Sequence, residues 1–367
     1  ELHRLKRCSN QSFRDILPLL NQAPQVCMLA RGHLLVLTSW LRYAAVLQLA
    51  GVHHMEAVRP HNNTDLRALI EGRSRELHQQ VREAVPPVFQ GLHGRQLHGD
   101  MTVAGLLIDG RCSPTLELVI DNFLQQLPGL PLYVFHAKAN EAYVHQMALN
   151  SGKDVHFLPL PEPWYTTLDW LSYQSVMTNR GLWQGLTESG VDRVLLVAGD
   201  SWLCEGALEK LPRFMRYHWV GAPWWDGECC NGGLSLRSPQ SMVRILERSP
   251  PFSGGAEDRW FLSKLRAMQQ EGIQQQGTKL FPIPENPMEA AQFALEYVVE
   301  GKEAAMFPNI RPFGVHKPWG HFGGDEGLDA HIGQLETHCP GLSQMVELQL
   351  KDERARSQEG ARFVCKG

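Results

Sequence analysis

The sequence predicts an α/β fold in which a mixed, mainly parallel sheet lies between layers of helix. Three observations carry this. Short apolar runs recur at 103–108, 132–136, 155–160 and 194–198. Segments of helical period separate them. The composition, 43% hydrophobic and 20% charged over 367 residues, is that of a globular chain able to bury one large core or two modest ones. Runs that are apolar throughout need cover on both faces, which βαβ crossovers supply.

In chain order, residues 1–100 read as a helical N-terminal or stem region. Within it, 34–52 is a nineteen-residue apolar stretch preceded by Arg4, Lys6, Arg7, Arg14 and Arg31, the pattern of a membrane anchor. Arg42 in its middle costs about 2.5–3.5 kcal/mol on insertion, so the same stretch also reads as a buried or amphipathic helix. Residues 65–85 have helical period and end at Pro86-Pro87. Residues 91–99 read as a loop, and the domain boundary is placed near 100.

The main domain then spans 101–330. Its first strand is 103–108. A helix over 114–127 opens with Ser113 as cap and Pro114 at its first position. Strand 132–136, helix 140–150, strand 155–160, a single helix over 168–186 and strand 194–198 follow. A further helix covers 258–268. Residues 320–327 are glycine-rich and read as a loop over the site. The tail, 331–367, carries one helix near 335–350 and a charged, solvated end.

Several functions are excluded or disfavoured. The net charge of -4 leaves no basic footprint for nucleic acid. The segment after the first strand, L-L-I-D-G-R-C-S, lacks G-x-G-x-x-G, and neither a P-loop nor a G-x-S-x-G elbow occurs. The eight cysteines form no C-x-x-C pair, which disfavours a zinc ribbon or thioredoxin-like site. Cys229 and Cys230 are adjacent, a spacing that does not easily bridge to itself. The even cysteine count and the sequons at Asn10 and Asn62 point to a glycoprotein of the secretory pathway, in a Golgi or ER membrane, with the cytoplasm as the alternative.

The chemistry concentrates between Val194 and Trp319. Ligands on such sheets bind beyond the carboxyl ends of the strands, where Asp200 stands. Asp200 and His316 are the candidate ligands for a divalent metal, manganese or magnesium. Glu257 or Asp258 is the candidate base for an acceptor hydroxyl. Gly232 and Gly233, beside Asn231, allow close backbone approach. Arg237 or Lys317 would neutralise phosphate, and Trp224, Trp225 or Trp319 would stack on sugar or base. Ser201 adjoins Asp200 and joins the donor-binding set. Each residue also has a structural alternative. Asp200 could cap a turn, the glycines could form a hairpin, and Glu257-Asp258 could complement a helix dipole. His316 could be structural and Arg237 a surface ion pair.

The ordered motifs A-G-D-S, W-V-G-A-P-W, N-G-G-L-S-L-R-S, E-D-R-W-F and P-F-G-V-H-K-P-W resemble a glycosyltransferase-like family of unknown function, the DUF5672 type, related to glycosyltransferases of the GT-A fold. The resemblance spans about 103–319 and is specific from 194 onward. It implies a GT-A-like Rossmann-type domain that moves a sugar from a nucleotide-sugar donor to a glycan, protein or lipid acceptor. It implies metal and donor-phosphate binding at Asp200, a late metal ligand at His316, and a base at Asp258 or Glu257. One departure stands out: Ala198 replaces the first acid of the D-x-D motif. This keeps open a catalytically inactive carbohydrate-binding protein of the same fold. Another Rossmann-like metal-dependent nucleotidyltransferase or hydrolase is the remaining alternative.

Overall fold

A computed structural model of the chain describes residues 86–150, 154–276, 281–296, 310–319 and 325–359. The chain divides into two units, Glu1–Glu71 and Gly72–Gly367, and every described residue lies in the second. The candidate anchor at 34–52, the expected helix at 65–85 and both sequons fall outside the described residues, as does most of the glycine-rich loop. Among the described residues, no helix is long and apolar enough to cross a membrane.

The main sheet contains β1 (Arg95–His98), β2 (Met101–Asp109), β3 (Leu132–His136), β4 (Val155–Pro159), β5 (Arg193–Val197), β7 (Trp219–Gly221) and β8 (Leu234–Arg237). Its order is β4-β3-β2-β5-β8-β7, with β1 paired antiparallel to β2. Strands β4, β3, β2 and β5 run parallel, whereas β8 is antiparallel to both β5 and β7. The sheet is therefore mixed and mainly parallel, as expected.

Both faces of the sheet are buried at its inner strands β2, β3, β5 and β8. Ala104, Leu106 and Ile108 of β2 enter one core with Phe135 and Leu196, while Val103 and Leu107 enter the other with Val134 and Leu195. This alternation between two buried faces is why the strands read as continuous apolar runs. Phe89 and Leu92 already belong to the first core, ahead of β1.

Helix α1 (Thr115–Gln126) follows β2, and α2 (Glu141–Asn150) follows β3. The first starts one residue later than the sequence suggests: Pro114 is its N-cap, and the Ser113 hydroxyl bonds Thr115 Oγ1 at 2.8 Å. The expected helix over 168–186 is two helices, α3 (Trp170–Met177) and α4 (Arg180–Glu188). Thr178 Oγ1 donates back to the Gln174 carbonyl, and Asn179 caps α4 by accepting from Leu182 N, so the chain restarts instead of continuing. Helices α5 (Ala207–Lys210), α6 (Pro239–Arg248), α7 (Glu257–Gln276) and α8 (Pro287–Phe293) complete this part.

A second, three-stranded sheet joins β6 (Ser201–Leu203), β10 (Gly314–His316) and β9 (Ala294–Leu295), with β10 in the centre. His316 is paired with Ser201 and Val315 with Trp202. The expected tail helix is again two, α9 (Asp325–Glu336) and α10 (Leu342–Glu359), separated by a turn containing Pro340 and the left-handed Gly341. These helices cover the small sheet through a third core of Trp202, Leu295, Val315, Trp319, Leu335 and Met345. A disulfide between Cys204 and Cys339 ties the end of β6 to that turn. Cys229 and Cys230, expected not to bridge, have their sulfurs in contact across a cis peptide.

Candidate active site

Strand order reverses between β2 and β5, and both strands end at one cleft of about 620 Å³. Sheets of this kind bind ligands at such a point. The turn after β5 carries Ala198, Gly199 and Asp200. Thr115 Oγ1 donates to the Gly199 carbonyl at 3.0 Å, Ala198 N donates to the Gly233 carbonyl at 2.9 Å, and Lys317 N donates to the Asp200 carbonyl at 3.0 Å. Below the turn, buried Asn122 exchanges two hydrogen bonds with the backbone of Leu203 and fixes β6. Asp200 is thus held by helix, sheet and turn together.

Asp200 and His316 meet in this cleft. His316 Nε2 lies 3.3 Å from Asp200 Oδ1, and its Nδ1 lies 3.0 Å from Glu296 Oε2. Glu296 directly follows β9. Burial alone would lower the His316 pKa, but the Glu296 and Asp200 carboxylates outweigh it and raise it to about 10. Burial likewise works to raise Asp200, yet His316, Arg111 and Lys317 hold its carboxyl well below the usual range.

This donor set fits a divalent cation. Adjacent ligands of an octahedral ion at 2.0–2.1 Å stand about 3 Å apart, close to the 3.3 Å between Asp200 Oδ1 and His316 Nε2. A carboxylate on the far ring nitrogen is the usual way an imidazole ligand is oriented, and Glu296 stands there. Sequence reasoning missed Glu296 because a two-residue strand leaves no periodic signal.

The paired glycines serve this arrangement. A Cβ on Gly233 would strike the His316 imidazole, and one on Gly232 would crowd Arg237, Glu257 and Asp258. Close approach is therefore to buried side chains of the site itself. Asn231 Oδ1 accepts from Gly233 N at 2.7 Å, and Asp258 Oδ2 accepts from Gly232 N at 3.0 Å. Asn231, Gly232, Gly233, Asp258 and Lys317 all line the cleft. Lys317 has a φ of 41°, a left-handed conformation that is uncommon for a residue with a side chain.

Other expected site residues lie elsewhere. Arg237 is fully buried beneath the glycine turn instead of forming a surface pair or facing phosphate. Both its terminal nitrogens donate to Glu257 at 3.0 Å, Nη2 also donates to the Gly232 carbonyl, and its plane lies 3.7 Å from the Trp219 ring centre. Glu257 reaches the cleft wall, yet its carboxylate is committed to Arg237. Burial raises its pKa, and Arg237 opposes the rise. Ser201 is buried and braces the turn through Ala198 N at 3.2 Å. Trp224 packs in the first core under Arg259, and Trp319 packs in the third while donating to Glu353 at 3.2 Å. Their large apolar areas fill cores, which is the commoner use of tryptophan.

The structure supplies further cleft residues. Arg111 follows β2, and its guanidinium grips Asp109 through Nε and Nη2, the latter at 2.7 Å. Its side chain keeps 42% exposure, so it faces the cleft as Arg237 does not. Tyr173 and the exposed Trp170 of α3 also line the cleft. In the segment L-L-I-D-G-R the charged pair Asp109–Arg111 at the strand end is the sequence signal for this part of the cleft.

Residues 154–316 match the model of a family described as "Protein of unknown function (DUF5672)". The resemblance drawn from the motifs is thereby shown over that stretch. A search of the curated proteins gives no match. Among solved structures, the chain is similar to mouse xyloside xylosyltransferase 1 in its apo form, at 11% identity and TM-score 0.37, over 58% of this chain and 97% of that one. It is also similar to core-mannan synthase A from Aspergillus fumigatus in its Mn/GDP form, at 8% identity and TM-score 0.30, over 55% and 72%. A putative nucleotide-diphospho-sugar transferase from Desulfovibrio desulfuricans G20 shares 16% identity at TM-score 0.30, over 45% and 75%.

Proposed function

We propose that this chain is a glycosyltransferase that moves a sugar from a nucleotide-sugar donor to a hydroxyl of a glycan, protein or lipid acceptor. The observation that carries this is the Asp200–His316–Glu296 line at the switch point of the sheet, with Asp258 on the same cleft. Asp200 and His316 would hold manganese or magnesium, which when bound supplies positive charge to the departing diphosphate. Arg111 and Lys317 would neutralise the remaining phosphate charge. Asp258 is the better base: it faces the cleft from the first turn of α7, whereas Glu257 is occupied by Arg237. Asp258 would take the acceptor proton as the new glycosidic bond forms. We place the protein in the secretory pathway, a reading supported by the Cys204–Cys339 disulfide.

Ala198 favours a second reading, a carbohydrate-binding protein of the same fold without turnover, because it removes one carboxylate from the cleft lining. A panel of nucleotide sugars, assayed with and without manganese, decides between the two. The transferase reading expects a manganese-dependent rise in melting temperature with one nucleotide class, lost in Asp200→Asn. It also expects Asp258→Asn to lower kcat by about 10²–10⁴-fold while the melting temperature holds. No nucleotide-sugar shift in the wild type would sink it.

A further inference from the structure

Away from the Asp200–His316 pair, three side chains meet between the end of β3 and the start of α2. His136 closes β3 and is 1% exposed. Glu141 opens α2, and His145 follows one turn later, so both project from one helix face. One ligand atom from each lies within 4.8 Å of the other two. The two imidazole rings stand edge to face with centres 5.7 Å apart.

We propose that His136, Glu141 and His145 form a second metal site, selective for zinc over the hard cations expected at Asp200. Two imidazoles and one carboxylate are a borderline set that suits zinc, whereas manganese and magnesium favour oxygen. His136 turns Nδ1 toward the Ala137 carbonyl at 3.4 Å, which leaves Nε2 to ligate. The Tyr165 hydroxyl hydrogen-bonds the Glu141 carboxylate and would help orient it. Ligands of a tetrahedral zinc ion stand about 3.4 Å apart, so the three atoms, now within 4.8 Å of one another, must draw closer, which rotation of the exposed His145 would allow.

The site bears on the cleft through one residue. Asn140, immediately before Glu141, donates to the Asp109 carbonyl at 2.9 Å and to the Arg111 carbonyl at 3.2 Å. Zinc would pin the first turn of α2 to the end of β3, and through Asn140 it would steady the loop that carries Arg111.

The test is zinc titration of chelator-treated full chain by calorimetry and by competition with a chromophoric chelator, for the wild type, His145→Ala, Glu141→Gln and Asp200→Asn. The expected result is one zinc per chain bound with a Kd below about 1 µM. Affinity should fall at least about 100-fold in His145→Ala and Glu141→Gln and stay intact in Asp200→Asn. Cobalt substitution in the wild type supplies a readout independent of variant folding, since four-coordinate cobalt with nitrogen ligands absorbs in the visible range. Absence of a saturable zinc site, loss of zinc in Asp200→Asn alone, wild-type affinity in both cluster variants, or a purely octahedral cobalt spectrum would each overturn the proposal.

Discussion

Gly233 has no room for a side chain because the His316 imidazole packs against its Cα. Gly233→Ala should therefore displace His316 from Asp200 and cost about 1–3 kcal/mol. The check is a urea midpoint, read beside the manganese-dependent melting shift, which should vanish. Arg237 and Glu257 form a buried pair, and removing either partner alone leaves an uncompensated charge. Arg237→Met and Glu257→Met should each destabilise by about 3–5 kcal/mol, and the double variant should cost less than their sum. A double-mutant cycle in denaturant measures this. These residues also show where sequence reading ran out. Asp200, His316, Asp258, Asn231, the two glycines and Lys317 were legible because ordered motifs carry them to one cleft. Ser201, Trp224, Arg237 and Trp319 were chemically plausible, but no spacing rule reveals that their side chains turn inward. Glu296 was missed because the strand before it is only two residues long, whereas the Asp109–Arg111 pair stood in plain view at a strand end.

At the level of elements, strands β2 to β5 were legible to within two residues; in β2, β3 and β5 burial on both faces leaves a continuous apolar run, while edge strand β4 is only partly buried. Helix breaks were not. The α3–α4 break rests on Thr178 and Asn179, two residues whose local hydrogen bonds compete with the helix only once the neighbouring helix direction is fixed. The α9–α10 break had a visible signal in Pro340-Gly341, which the longer apolar period obscured. The same turn holds Cys339, whose bond to Cys204 closes a separation of 135 residues. Cys339→Ser should cost about 2–5 kcal/mol, because a long closed loop restricts the unfolded chain most. Thermal melts with and without reductant give the comparison, and an unchanged midpoint would mean that the third core alone holds these helices.

Across the whole molecule, the half-buried His218 and the buried His331 weaken stability in acid. Burial lowers the pKa of His218 to about 4, helped by Arg193 and Arg244, and burial lowers that of His331 to about 4 as well. An unfolded histidine binds its proton near 6.5. Between pH 6.5 and 4 the unfolded state therefore carries more protons than the folded one. Their contribution is complete above about 6.5 and is lost as pH falls through 4. It should amount to about 3 kcal/mol for each group. Urea midpoints across that window should drop steadily, and His218→Asn should flatten the slope.

The pairing of β6 with β10 has one more consequence. His316 is the register partner of Ser201, the residue next to Asp200. The spacing of the two candidate ligands is thus set by a ladder of backbone hydrogen bonds and does not depend on how many residues separate them along the chain. Relatives could lengthen or shorten any stretch outside these two strands and keep the pair. A single residue inserted between Gly314 and His316 would instead turn the imidazole to the opposite face, although every residue of the motif would still be present.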